Sequence, residues 1–195
     1  MPLSRRLRQV LRRLDVLEKH LLPPEFSLTG SYPAKQRDHT KAYLLLVHAE
    51  LEAYFEDCAR NRVNLAHERW RRKGQCTPVL SRLLVFHHAT EKDELGALST
   101  QAVTKAVHYY VDRLDKNHGI KEKHLLSIFL PLGISHGELD SQLVSACNQL
   151  AQKRNQFAHA SFKTHQPVDP KGERDNIRRN IIPELKKFDA RLKRL

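Results

Sequence analysis

The sequence predicts an all-α helical bundle. Apolar residues recur every three or four positions in each long segment, which is the period of one helix face. No stretch alternates apolar and polar residues as a half-buried strand would. The seven glycines and nine prolines fall mostly between these segments, where helices start and stop.

Taken in order, Leu3, Leu7, Val10, Leu14, Leu17 and Leu21 make the stripe of a first helix, with Arg5, Arg8 and Arg12 facing elsewhere. Pro23-Pro24 ends it. A loop containing Gly30 and Pro33 leads to a second helix, from about Thr40 to Arg72, whose core stripe runs Leu44, Val47, Leu51, Phe55 and Cys58. Gly74–Thr77 breaks the pattern, and Thr77-Pro78 supplies the cap and first turn of a short helix through His88. Ser99 caps a helix carrying Val103, Val107, Tyr110 and Leu114 that should end at Gly119. A short apolar helix over Leu125–Leu130 is stopped by Pro131 and Gly133.

Residues 138–160 read as one long amphipathic helix. Leu139, Leu143, Ala146, Cys147, Leu150 and Phe157 face inward, and Asp140 lies near the start, where a carboxylate favours the helix dipole. After a Pro/Gly loop at 167–172, a last helix carries Ile177, Ile181, Leu185, Phe188 and Leu192, with Pro183 expected to kink or split it. The expected organisation is a basic N-terminal helix and loop (1–39) followed by a helical domain (40–195), one compact domain overall. The basic first and last helices read as appendages on its core.

A chain of 195 residues suits a single domain that buries about 70% of its unfolded surface. The net charge of +12 and pI near 9.8 imply a polyanionic partner, nucleic acid ahead of lipid. No apolar run reaches the length of a membrane span, so no membrane partner is expected. Three cysteines, Cys58, Cys76 and Cys147, without CxxC spacing point to a reducing compartment, the cytoplasm, and to no structural zinc. His87-His88 point about 100° apart on a helix and lack a third ligand, so neither metal nor cofactor is expected. Phosphate-loop, dinucleotide, HExxH and GxSxG motifs are absent.

The chemistry concentrates in Lys153-Arg154-Asn155-Gln156-Phe157-Ala158-His159. Arginine grips phosphate through a planar fork of donors, and histidine exchanges protons near neutral pH. Spacing by itself says little, since 19 arginines and 12 histidines should give about one Arg-x4-His by chance. Four occur: Arg62/His67, Arg82/His87, Arg113/His118 and Arg154/His159. On an ideal helix Arg154 lies about 40° from Leu150, at the edge of the buried stripe, and about 140° from His159. A frayed last turn, or a second copy of the helix across a two-fold axis, would close that gap. Arg154 otherwise reads as an arginine snorkelling to water, and His159 as a helix-end residue.

Two further clusters are candidates. Arg69-Trp70-Arg71-Arg72 suits an RNA backbone with one stacked base, and equally a helix end anchored by Trp70. Glu50, Glu52, Glu56 and Asp57 form an acidic cluster in which Glu50 and Asp57 share one helix edge. The cluster is either a solvated face that partners the many arginines, or one of its acids, Glu50 and Asp57 foremost, orients His159 or a functional arginine. His48, on the stripe margin, reads as structural.

Arg154-Asn155-x-x-x-His159, at the end of a late helix in an all-α chain, resembles the Arg-x4–6-His signature of the HEPN superfamily. Tyr43–Asp57 is similar to the first core helix of the RiboL-PSP type, and the likeness spans about residues 40–160. The resemblance implies a HEPN-type bundle with additional N- and C-terminal helices. It implies a metal-independent endoribonuclease in which Arg154 stabilises phosphoryl charge, His159 is the acid/base and Asn155 holds the imidazole or substrate. It further implies RNA as substrate, with Lys153 on the backbone, and a homodimer with a composite active site. A toxin or antiviral-defence role, with a neutralising partner protein, belongs to the same expectation. A non-catalytic RNA- or nucleotide-binding module and a helical protein-interaction module are the other readings.

Overall fold

The computed structural model describes residues 2–91, 99–159 and 168–194, with only the backbone described at 90, 91 and 159. Eight α-helices appear among these residues: α1 Arg5–Leu21, α2 Ala34–Lys73, α3 Pro78–Glu91, α4 Thr100–Asp115, α5 Glu122–Phe129, α6 Ser141–His159, α7 Pro170–Asn176 and α8 Ile182–Leu192. No described residue lies in a strand.

Helix α2 is the mast of the bundle. Its 40 residues extend about 60 Å, and α1, α3, α4, α5, α6 and α7 all pack against it. Its first turn begins six residues ahead of the expected Thr40. Residues 34–39 have no apolar stripe to announce a helix, but Thr40 is buried and donates its hydroxyl to Gln36 O at 2.8 Å, tying that polar turn down. At the far end Gly74 adopts φ 62°, and its N–H donates to Trp70 O at 2.8 Å, closing the helix through a left-handed residue.

The other starts follow from side-chain caps. Ser4 accepts from Leu7 N, Thr77 from Leu80 N, Ser99 from Ala102 N, and Asp169 from the amides of Lys171 and Gly172. The expected 138–160 helix is divided at its beginning. Ser135 and Glu138 cap a separate 3-10 turn over His136–Glu138, Leu139 is extended, and Asp140 then accepts from Gln142 N to start α6.

The first and last helices are part of the core rather than appended to it. Leu7, Val10, Leu14 and Leu17 of α1 are buried, as are Ile177, Ile181, Leu185, Phe188 and Leu192 near the C-terminus. Phe55 of α2, Phe129 of α5 and Phe188 of α8 meet edge to face, with ring centroids 4.9–6.1 Å apart. Asp189, buried beside them, accepts from Ser4 N at 2.9 Å and from the Tyr54 hydroxyl at 3.4 Å, and pairs with Lys193 at 3.1 Å. Burial pushes that carboxyl up, but Ser4 and Lys193 outweigh it and hold it below the usual aspartate value.

Pro183 does divide the last helix. Ile177–Ile181 forms a π turn, and α8 starts with Pro183 in its first turn. Proline has no N–H to give, and its ring crowds the carbonyl four residues back, so widening the preceding turn accommodates it.

Candidate active site

Helix α6 carries Arg154 and Asn155 out along the edge of its buried stripe. Leu150 and Ala151 are buried, Arg154 is exposed and Asn155 half-buried. Arg154 Nη1 donates to Asn155 Oδ1 at 3.2 Å, so the guanidinium and the amide are held side by side. No described carboxylate lies within 4.0 Å of Arg154. Its guanidinium is exposed and open to an anion from solvent.

Facing it are α2 and the loop 116–121. Helix α4 ends at Asp115, ahead of the expected stop at Gly119, and the chain turns back toward α2. The turn uses Gly119 at φ 131°, a conformation that L side chains rarely adopt. The result is a cleft of about 220 Å³ walled by His48, Glu52, His118, His124, Arg154 and Asn155, with Lys121 and Lys123 beside them. A Cβ at position 119 would sit 3.0 Å from His124 Cδ2, so the glycine also leaves room for that ring. His124 Nδ1 faces Asn117 Oδ1 at 3.3 Å. Burial, then Lys123, lowers its pKa below the ordinary histidine value.

His48 is 5% exposed. Burial, reinforced by the positive charge of Arg154, lowers its pKa to about 4. Its Nδ1 lies 3.7 Å from Glu52 Oε2, beyond hydrogen-bonding range, and a neutral ring makes no ion pair there at pH 7. Behind Glu52, one donor atom each of Glu52, Glu56 and His118 lie within 4.8 Å of one another. Burial, then the neighbouring Glu52, raises the Glu56 carboxyl above its usual value.

A family model described as RiboL-PSP-HEPN matches residues 6–188. The chain belongs to the RiboL-PSP-HEPN family. The match runs from α1 into α8, past the 40–160 likeness visible in the motifs, in keeping with a core that includes the terminal helices. No curated protein and no solved structure matches the chain.

Within this RiboL-PSP-HEPN chain the sequence-derived candidates separate. Arg154 and Asn155 share the cleft. His159 ends α6, but its side chain lies outside the described residues. Lys153 does not face the cleft partners: its Nζ bonds both carboxylate oxygens of Glu173 at 2.6 and 2.7 Å, clamping α6 to α7. Glu50 and Asp57 face α1, where they pair with Arg13 at 3.2 Å and Arg6 at 2.7 Å. Glu52 is the α2 acid that reaches the cleft. Arg69, Arg71 and Arg72 are exposed around a half-buried Trp70, which packs on the core. That run sits 17 residues along α2 from Glu52, about 26 Å away. His87 is buried against Tyr109 with ring centroids 5.1 Å apart.

Sequence reasoning passed over His118 and His124 as site residues, and held Glu52 only as one of the four clustered acids on α2. His118 carried a signal, since it closes one of the four Arg-x4-His spacings. Its arginine is occupied elsewhere, because Arg113 lies over Phe86 and Tyr109 at 5.4 and 5.8 Å from the ring centroids.

Proposed function

We propose that the chain is a metal-independent endoribonuclease that cleaves RNA by attack of the ribose 2′-hydroxyl on its adjacent phosphate. The observation that carries this reading is Arg154, a guanidinium without a carboxylate partner among the described residues, opening on a cleft rich in imidazoles. In the proposed reaction Arg154 holds the non-bridging phosphoryl oxygens, and the charge it stabilises grows toward the transition state. Asn155, oriented by Arg154, positions substrate or imidazole. His159 is the acid/base, worth roughly 10²–10⁴ in rate. A base takes the 2′-hydroxyl proton as that oxygen bonds to phosphorus. The bond to the 5′-oxygen breaks, and an acid protonates the leaving oxygen. A two-fold dimer would bring a second Arg154–His159 set to serve the other proton transfer. Lys121 and Lys123 give the strand a cationic approach. Family membership and three free cysteines support a cytoplasmic toxin or defence effector.

End-labelled single-stranded RNA, incubated in EDTA with wild type, Arg154→Ala and His159→Ala, tests this. Products ending in 2′,3′-cyclic phosphate, lost in both variants, are expected. RNA bound but uncut by wild type would leave a binding module in its place, and cleavage insensitive to both changes would move the site elsewhere.

A further inference from the structure

Helix α2 bears chemistry-bearing side chains at positions 48, 52 and 56, one per turn along a single face. The loop 116–121 lays His118 against the lower end of that face, so that donor atoms of Glu52, Glu56 and His118 lie within 4.8 Å of one another. We propose that Glu52, Glu56 and His118, with His48 one turn behind, form a binding site for a divalent transition-metal ion of the zinc class.

Three observations carry this. First, neither carboxylate is paired with a lysine or arginine among the described residues. The other acids nearby are matched to arginines: Glu50 to Arg13, Asp57 to Arg6 and Asp115 to Arg60. Yet no described lysine or arginine lies within 4.0 Å of Glu52 or Glu56, in a chain with 34 lysines and arginines against 22 acids. Like charges four residues apart on a helix repel, so the arrangement calls for a cation from outside.

Second, His48 is nine-tenths buried, lines the cleft and makes no hydrogen bond to a described residue. Its Nδ1 lies 3.7 Å from Glu52 Oε2, and both side chains line the same cleft.

Third, the donor set is mixed. Imidazole nitrogen with carboxylate oxygen suits zinc and its neighbours better than the all-oxygen shells that calcium and magnesium prefer. Ligands of a tetrahedral zinc at about 2.1 Å lie about 3.4 Å apart, so closure asks the present donors to move by roughly 1 Å, a side-chain adjustment. The spacing in sequence hides the site, because its ligands come from one long helix and a loop more than sixty residues further on.

The test does not depend on cleavage activity. Metal-stripped full-length protein is titrated with Co²⁺ and followed by visible absorption. Expected are one tight equivalent, the intense d–d absorption of a low-coordinate site, and displacement by Zn²⁺. Glu56→Gln keeps all 12 histidines, so adventitious imidazole binding would survive it. It should nevertheless weaken binding at least about tenfold, a loss that even an outer-shell partner can cause. His118→Gln, on an exposed loop position, should do the same without touching the bundle. Only the weak spectrum of six-coordinate Co²⁺, or affinity unchanged in both variants while their circular dichroism matches wild type, would overturn the proposal.

Discussion

Acidification should weaken the fold through His48. Its ring is 5% exposed, and burial together with Arg154 holds its pKa at about 4, against 6.5 for a free histidine. The sign follows from proton counting. Between those values the unfolded chain binds a proton at His48 that the folded chain refuses. Stability is therefore full above pH 6.5, falls as pH drops below it, and has lost the whole contribution once pH passes below about 4. The gap between 6.5 and about 4, at about 1.4 kcal/mol per pH unit, sets a ceiling of about 3–4 kcal/mol. Water in the cleft screens part of it, leaving about 2 kcal/mol. Urea midpoints of wild type and His48→Gln, in chelator and stepped from neutral pH to about 4, isolate the effect. Glutamine does not titrate, so carboxylate protonation elsewhere lowers both curves alike. Wild type should lose about 2 kcal/mol more than the variant across this window. Parallel curves would show that the folded protein does not keep this ring neutral.

Three other outcomes are expected. Gly119→Ala places a Cβ 3.0 Å from His124 at φ 131°, and should cost about 1–3 kcal/mol in a urea melt while lowering RNA cleavage. Asp189→Ala leaves Ser4 N, the Tyr54 hydroxyl and Lys193 without their acceptor, and should cost about 3 kcal/mol by the same melt. Native protein should react rapidly with a thiol reagent at Cys76 only, and at all three cysteines in denaturant. Cys76 is exposed, whereas burial pushes the Cys58 and Cys147 thiols up to about 12.

Much of the fold could be read from periodicity, because helices α1, α4 and α6 bury the stripes their sequences display. What periodicity leaves out is which flank of a stripe meets which neighbour. Glu50 and Glu52 stand about 100° to either side of Leu51, equivalent by spacing. Packing of α1 on one flank claims Glu50 for Arg13, and packing of α6 on the other turns Glu52 toward Arg154. His118 was hidden for a different reason. A helix continued to Gly119 would have spent it on a helix face, whereas the early stop at Asp115 returns it to α2. Arg154 and Asn155 were legible because they lie at the margin of a strong stripe and next to each other.

The π turn at Ile177–Ile181 sets a rule for this chain's length. It holds one residue more than an α turn, so everything beyond it is rotated by about 100° relative to an uninterrupted helix. Arg178 is tied to Glu18 at 2.8 Å and to Asp15 at 3.4 Å, whereas Arg179 and Asn180 are exposed and bond one turn back along the same helical run, so their side chains are open to exchange. Their number is not. Removing any one would restore plain α phasing and swing Leu185, Phe188 and Leu192 off the core, carrying Asp189 away from Ser4 and Tyr54. A stretch that looks like permissive surface is thus a frame-counting element, tolerant of substitution at Arg179 and Asn180 and intolerant of deletion.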